Sequence, residues 1–234
     1  MIKLIRFITG CAVFCLPLIL IFIPGCSDGK TNQKKDKSAV IAKPDTSSLF
    51  DNKTLDGWGI TNFGPQGPVY VSGGEIILGM GDGCTGITWK KAFPRTNYEV
   101  SLDAMRVAGN DFFCGLTFPV GKSPCSLIIG GWGGATVGLS SINGKDASEN
   151  ETTSIRNFDK NRWYHIRLIV TDKFIKTWID STKVIDFTID DKKLSIRPEV
   201  ELSRPFGIAS WNTTAAIRNI RLQRIESQDS VIYK

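Results

Sequence analysis

One histidine, His165, serves a chain of 234 residues, and that scarcity removes several chemistries at once. A serine hydrolase would need this imidazole beside a nucleophile, and the GxSxG segment that would present one is absent. No GxxxxGK[ST] loop is present to cradle phosphates. Cysteine is scarce as well. Of six, Cys11, Cys15 and Cys26 belong to the N-terminal stretch, leaving Cys84, Cys114 and Cys125. An odd number without CxxC spacing argues against a metal cluster or a disulfide framework. Cys114 and Cys125 fall on adjacent strand candidates, and the loop between them leaves open whether they face each other. Helical periodicity is missing too, the best candidates being single turns at Asp190 to Lys193 and Leu194 to Arg197. Nor is there a concentrated charge. Of the net +6, Lys3 and Arg6 carry +2, and five Lys against three Asp in 27–46 carry another +2, so the remaining 188 residues hold only +2. A nucleic-acid partner is excluded on that balance.

What is present is strand after strand. Asn97 to Val107 alternates Tyr98, Val100, Leu102 and Ala104 with Glu99, Ser101 and Asp103, the period of a strand with one buried face. Asp111 to Phe118 and Cys125 to Ile129 are apolar at nearly every position, as expected of central strands covered on both faces. Pro119 to Pro124 reads as the hairpin loop between them, and Gly130-Gly131-Trp132-Gly133-Gly134 breaks the chain before Ala135 to Ser140. Similar short runs recur at Val69 to Val71, Glu75 to Leu78, Gly86 to Lys90, Arg162 to Thr171, Phe174 to Asp180, Val184 to Ile189, Phe206 to Trp211 and Ala215 to Ile225. The pattern predicts an all-β protein, a two-sheet antiparallel β-sandwich of the jelly-roll kind, as one domain over 47–226 followed by a tail at 227–234.

Ahead of it, Lys3 and Arg6 precede an apolar stretch from Phe7 to Pro24 that ends in Ile23-Pro24-Gly25-Cys26. This resembles a bacterial lipoprotein signal over 1–26, with Cys26 as the lipidated residue; an uncleaved membrane anchor is the alternative. Residues 27–46, largely Lys, Asp, Gly, Ser, Asn and Gln with almost nothing large and apolar, read as a flexible tether. The expected location is the cell envelope, membrane-anchored and facing the periplasm or exterior.

The domain resembles the 3-keto-disaccharide hydrolase family, which has a concanavalin-like jelly-roll fold. Leu49 to Trp58 is similar to its opening "LFNGKxLxGW", Val69 to Ile76 to "WxVxDGxL", and Phe93 to Leu102 to "FxNFELxxEFR". Asn110 to Phe118 follows as "NSGIFLR", Arg162 to Arg167 as "EWNxxRI", Ile175 to Asp180 as "IxVWLNG" and Arg218 to Leu222 as "FRNIRI". The resemblance implies cleavage of glycosides carrying a ketone at C3, by elimination and hydration. Such a ketone acidifies the C2 proton, so a base and an enolate-stabilising donor or divalent cation suffice. The chain departs from the family at Ser126-Leu127-Ile128-Ile129-Gly130, where polar residues of the form "EVQIxD" are usual on the concave face.

Read from the residues themselves, the acid/base candidates are Glu149, Glu151, Glu199, Glu201 and His165. Strand parity places Glu199 and Glu201 on one face about 7 Å apart, between Arg197 and Arg204, close enough to raise one carboxyl toward general-acid duty. His165 shares a strand face with Arg167, and Asn150 lies between the loop carboxylates. Arg167, Asn150 and Arg197 are candidate donors to sugar hydroxyls. Trp132 among its glycines and Trp211 before Asn212 are the expected sugar platform, since an indole face stacks on a pyranose. The glycines around Trp132 are expected to let a sugar approach the backbone. A carbohydrate is thus the expected ligand, either as substrate or as the ligand of a non-catalytic, lectin-like module on the same scaffold.

Overall fold

A computed structural model describes residues 46–225. The signal stretch with Cys26, the tether before residue 46 and the tail from 227 lie outside the described residues. The chain opens with β1 (Thr46–Ser48), β2 (Trp58–Ile60), β3 (Val69–Ser72), β4 (Glu75–Leu78) and β5 (Cys84–Trp89). It continues through β6 (Tyr98–Gly109), β7 (Cys114–Val120), β8 (Ser123–Gly131), β9 (Thr136–Ser140) and β10 (Ser154–Ile155). Then come β11 (Trp163–Val170), β12 (Phe174–Ile179), β13 (Thr182–Thr188), β14 (Gly207–Trp211) and β15 (Thr213–Arg224), with one 3-10 turn at Pro198–Ser203 before β14.

Two antiparallel sheets result. The first has the order β13-β12-β11-β6-β15-β4-β3, with β1 also paired to β15, and the second β10-β9-β8-β7-β14-β5-β2. In the first sheet alternation holds as expected: Tyr98, Val100, Leu102 and Ala104 of β6, with Tyr164, Ile166, Leu168 and Val170 of β11, face the core. Their neighbours Glu99, Asp103, His165 and Arg167 face outward. In the second sheet β5, β7 and β9 are buried at every position. The inward residues of these strands and of β8, such as Ile87, Leu116, Phe118, Leu127, Ile129 and Leu139, join the core. Their outward residues are nearly all small and are covered by other chain. Thr88 of β5 donates its hydroxyl to Leu202 O of the 3-10 turn at 3.0 Å. A Cβ at Gly207 would stand 2.6 Å from Ser203 O, and one at Gly138 would stand 2.7 Å from Ala147 O. Glycine at these two places lets the covering segments lie directly on the sheet.

Several local expectations are corrected. Arg197 to Arg204 is not a strand: Pro198 opens a 3-10 turn with its fixed φ, and Pro205 follows. Prolines at both ends withhold N–H donors that a ladder needs. The single helical turn therefore sits at 198–203 rather than at 190–193 or 194–197. The β7–β8 connection tightens to a two-residue turn, with Val120 opposite Ser123, and β8 runs on through Gly131. Register also separates the two thiols. Cys114 lies opposite Ile129 and Cys125 opposite Phe118, and both are free.

Candidate functional site

Over the outer face of the second sheet, the cover leaves an opening of about 250 Å³ between the 3-10 turn and the Trp132 turn. Its floor comes from alternate positions of β8, Ser126 and Ile128, and from Ser140, the cross-strand partner of Ser126 on β9. One wall is Arg197, Glu199 and Val200 of the 3-10 segment. The other is Asp111 and Phe112, just before β7, together with Trp132, Trp211 and Cys84, the last opposite Trp211 across β14 and β5.

Trp132 is 43% exposed and has φ +49°, a left-handed backbone that a large side chain rarely adopts. Beneath it lies Arg106, only 5% exposed. Its Nη2 donates to Gly130 O at 3.2 Å and Gly134 O at 2.8 Å, and its Nη1 to Phe158 O at 3.3 Å. A buried guanidinium spent on three carbonyls ties the tryptophan turn to the sandwich. This corrects the role expected of the glycines. A Cβ at Gly130 would meet Arg106 Nη2 at 2.5 Å, and one at Gly134 would meet Asn110 O at 2.7 Å. These two make room for protein rather than for a sugar, whereas a Cβ at Gly133 would meet nothing within 4 Å. The Trp211 ring lies 6.5 Å from that of Phe112, tilted 36°.

The polar groups are held firmly. Arg197 bridges two segments, donating from Nη1 to Asp146 Oδ2 and from Nη2 to Glu199 Oε1 at 2.8 Å. The bond from Arg197 holds the Glu199 carboxyl below its ordinary 4.5, so Glu199 is a carboxylate at neutral pH. The expected upward shift toward a general acid does not occur. Asp111 accepts from the N–H groups of Phe112 (2.7 Å) and Gly133 (3.3 Å). Burial, with the nearby charge of Glu199, pushes the Cys84 thiol up to about 12, which removes it as a nucleophile. Ser126 shares a 3.0 Å hydrogen bond with Thr117.

Of the residues singled out above, Trp132, Trp211, Arg197 and Glu199 meet in this groove. The others lie outside it. Glu201 pairs with Arg204 on the far side of the 3-10 turn. Glu151 pairs with Lys192 at 2.7 Å, and Glu149 is exposed on its loop. Asn150 is buried, its amide donating to Leu139 O and Asp146 O at 2.7 Å each, so it shapes the loop instead of binding ligand. His165 and Arg167 lie on the outer face of the opposite sheet. His165 Nδ1 is 2.8 Å from Asp103 Oδ1, and the Arg167 guanidinium stacks 4.0 Å above Trp178. Burial works to raise Asp103, but bonds with His165, Asn219 and Arg218 outweigh it and hold the carboxyl below 3.8. Sequence reading missed Asp111, Phe112, Ser126, Ile128, Ser140, Val200 and Cys84. The departure at Ser126 to Gly130 was the one signal pointing to β8.

A divalent cation does not fit these donors. Among the described residues no three His, Cys, Asp or Glu side chains converge to hold one. In the groove, Arg197 already occupies the open side of Glu199, while backbone amides bind both oxygens of Asp111.

Two antiparallel sheets packed as a sandwich, with an aromatic-rimmed groove on one outer face, define a galectin- and concanavalin-like jelly-roll domain. Residues 45–223 match the 3-keto-alpha-glucoside-1,2-lyase-like domain, and the chain belongs to that family. Its fold is similar to that of a Bacillus subtilis protein of unknown function with a galectin-like fold (11% identity, 72% of this chain and 90% of that one, TM-score 0.53). It is also similar to the Crh5 transglycosylase in complex with NAG (12%, 78% and 84%, TM-score 0.52). A third likeness is to a candidate glycosyl hydrolase from Parabacteroides distasonis (14%, 77% and 94%, TM-score 0.51). A search of curated proteins gives no match.

Proposed function

We propose that the groove binds a glycoside oxidised at C3 and cleaves it by elimination, with Glu199 as base and Arg197 as the cation facing the enolate. The observation carrying this reading is the Arg197–Glu199 pair seated on one groove wall: a carboxylate kept ionised beside a guanidinium. The ketone makes the C2 proton acidic. Glu199 takes it, the C–H electron pair moves into the C2–C3 enolate, and Arg197 holds the charge on the C3 oxygen. The enolate then re-forms the ketone as the C1–O bond breaks, its electrons leaving on the glycosidic oxygen, which is protonated from water. Water adding across the resulting C1–C2 double bond completes a net hydrolysis. Ser126 and Ser140 would supply hydroxyl partners to the reacting sugar, while Trp132 and Trp211 would stack on the group joined to it.

The test is incubation of the full chain with a 3-keto-disaccharide in heavy water, with NMR following the replacement of its glycosidic anomeric signal by product signals and deuterium uptake at C2, with and without chelator. Glu199→Gln is expected to lower turnover at least about a hundredfold while ligand affinity is kept. Full turnover in that variant would overturn the assignment. A second reading, a binding module without turnover, is favoured by the same ion pair, because a base held below its ordinary pKa is a weaker base. Binding of the keto-sugar with no product in the wild type would select it. We further propose that the domain works in the cell envelope, attached through a lipid on Cys26.

A further inference from the structure

We infer that this groove selects glycosides whose aglycone is flat and apolar, an aryl group above all, over glycosides made only of sugars. The inference rests on the reading of the groove as a sugar site and adds what is joined to the sugar.

The opening has two chemically different ends. At one, Ser126 and Ser140 stand opposite each other across β8 and β9, and Arg197 is beside them through the Asp146 carboxylate that it shares with Ser140. These are partners for the hydroxyls of one ring. Two residues along β8, about 7 Å away, the floor becomes Ile128, which is 95% buried and faces Phe112, Trp132 and Trp211. The carboxylate on that side, Asp111, has one oxygen bonded to the Phe112 amide of its own turn and the other to the Gly133 amide of the Trp132 turn. The Cys84 thiol, across the strand pair from Trp211, offers little to a hydroxyl.

A second sugar has a hydroxyl on nearly every carbon. Each one pressed against Ile128 or Phe112 would lose water without gaining a partner, at a cost of about 1–3 kcal/mol. An aromatic ring carries none and meets two indoles and a phenyl ring that stack on it. The space agrees. An apolar cavity of about 150 Å³ accepts one benzene, so about 250 Å³ encloses one six-membered ring and leaves a second partly in the open mouth. One would be the sugar beside Ser126 and Ser140, and the other the aglycone over Ile128.

The experiment is a tryptophan-fluorescence titration of the full chain with methyl and phenyl glycosides of glucose, galactose and mannose, and with the matching disaccharides, none of which carries the C3 ketone needed to react. The phenyl glycoside of the preferred sugar is expected to bind at least about tenfold more tightly than the methyl glycoside or disaccharide. Ile128→Thr keeps the β-branched shape, adds one hydroxyl, and is expected to shrink that preference to about twofold while the variant stays folded, melting cooperatively at a somewhat lower midpoint. Equal affinity for the phenyl and methyl glycosides, or tighter binding of the disaccharide, overturns the aryl inference and leaves the sugar site standing. An undiminished phenyl preference in Ile128→Thr moves the apolar subsite away from β8 and overturns it as well. No binding of any glycoside overturns the sugar site and this inference together.

Discussion

Trp132 combines a strained backbone with an exposed indole, and the two effects separate by mutation. Glycine adopts φ +49° without penalty, so Trp132→Gly relieves about 1 kcal/mol of strain, offset in part by the freer unfolded chain. The thermal midpoint is expected to stay or rise while glycoside affinity falls about tenfold, checked by calorimetric melting and titration. A melt lowered by several degrees would show that the indole is structural. Glu199 carries a prediction in pH. Its carboxyl lies below 4.5 because Arg197 hydrogen-bonds the charged form. The base is thus in working form throughout neutral and mildly acid solution, and the pair's contribution to stability is present above 4.5 and lost as pH falls through the lowered value. The acid limb of turnover should lie below 4.5, and a limb near 6 to 7 would assign the base elsewhere.

Individual residues were unevenly legible from sequence. Trp132, Trp211, Arg197 and Glu199 stood out because glycine, asparagine or proline breaks the strand pattern beside them. Ser126 and Ile128 did not: on a strand covered on both faces, an outward residue in a groove reads like an inward one in the core. Asn150 misled for the opposite reason. A loop amide looks available until its hydrogen bonds to Leu139 O and Asp146 O are seen.

At the scale of elements, alternation marked β6 and β11 and continuous apolarity marked β7 and β8, because one face or two faces are covered there. The 3-10 turn was missed, since Glu199, Val200, Glu201 and Leu202 alternate as a strand would while the flanking prolines decide otherwise. That turn is the groove's movable-looking wall, yet it rests on Gly207 and Thr88 of the sheet. Gly207→Ala would drive a methyl into Ser203 O, and overpacking of this kind costs about 1–3 kcal/mol. We expect a lower thermal midpoint together with weaker glycoside binding, as Glu199 and Val200 shift with the turn. Destabilisation with unchanged affinity, measured on the same sample, would show that the wall moves independently of its support.

For the whole molecule, the seven family segments spread from Leu49 to Leu222 made the sandwich recognisable from sequence. The anchoring proposal yields a prediction of its own: Cys26→Ala is expected to abolish palmitate labelling and leave an unprocessed precursor on a gel. Labelling that persists would refute it.

The register of β1 and β15 has one more consequence. Thr46 enters opposite Gln223, and Ile225 leaves against Asn97, so both described ends of the domain share the edge near Tyr98. Tyr98 in turn reaches Pro119 beside the β7–β8 turn, whereas Trp132, Asp111 and Trp211 sit where the strands of the second sheet finish at the other edge. The domain therefore has a handle and a mouth on opposite sides. A partner fused directly at Thr46 or Ile225 would therefore meet the Tyr98 edge and leave the aromatic rim of the groove uncovered.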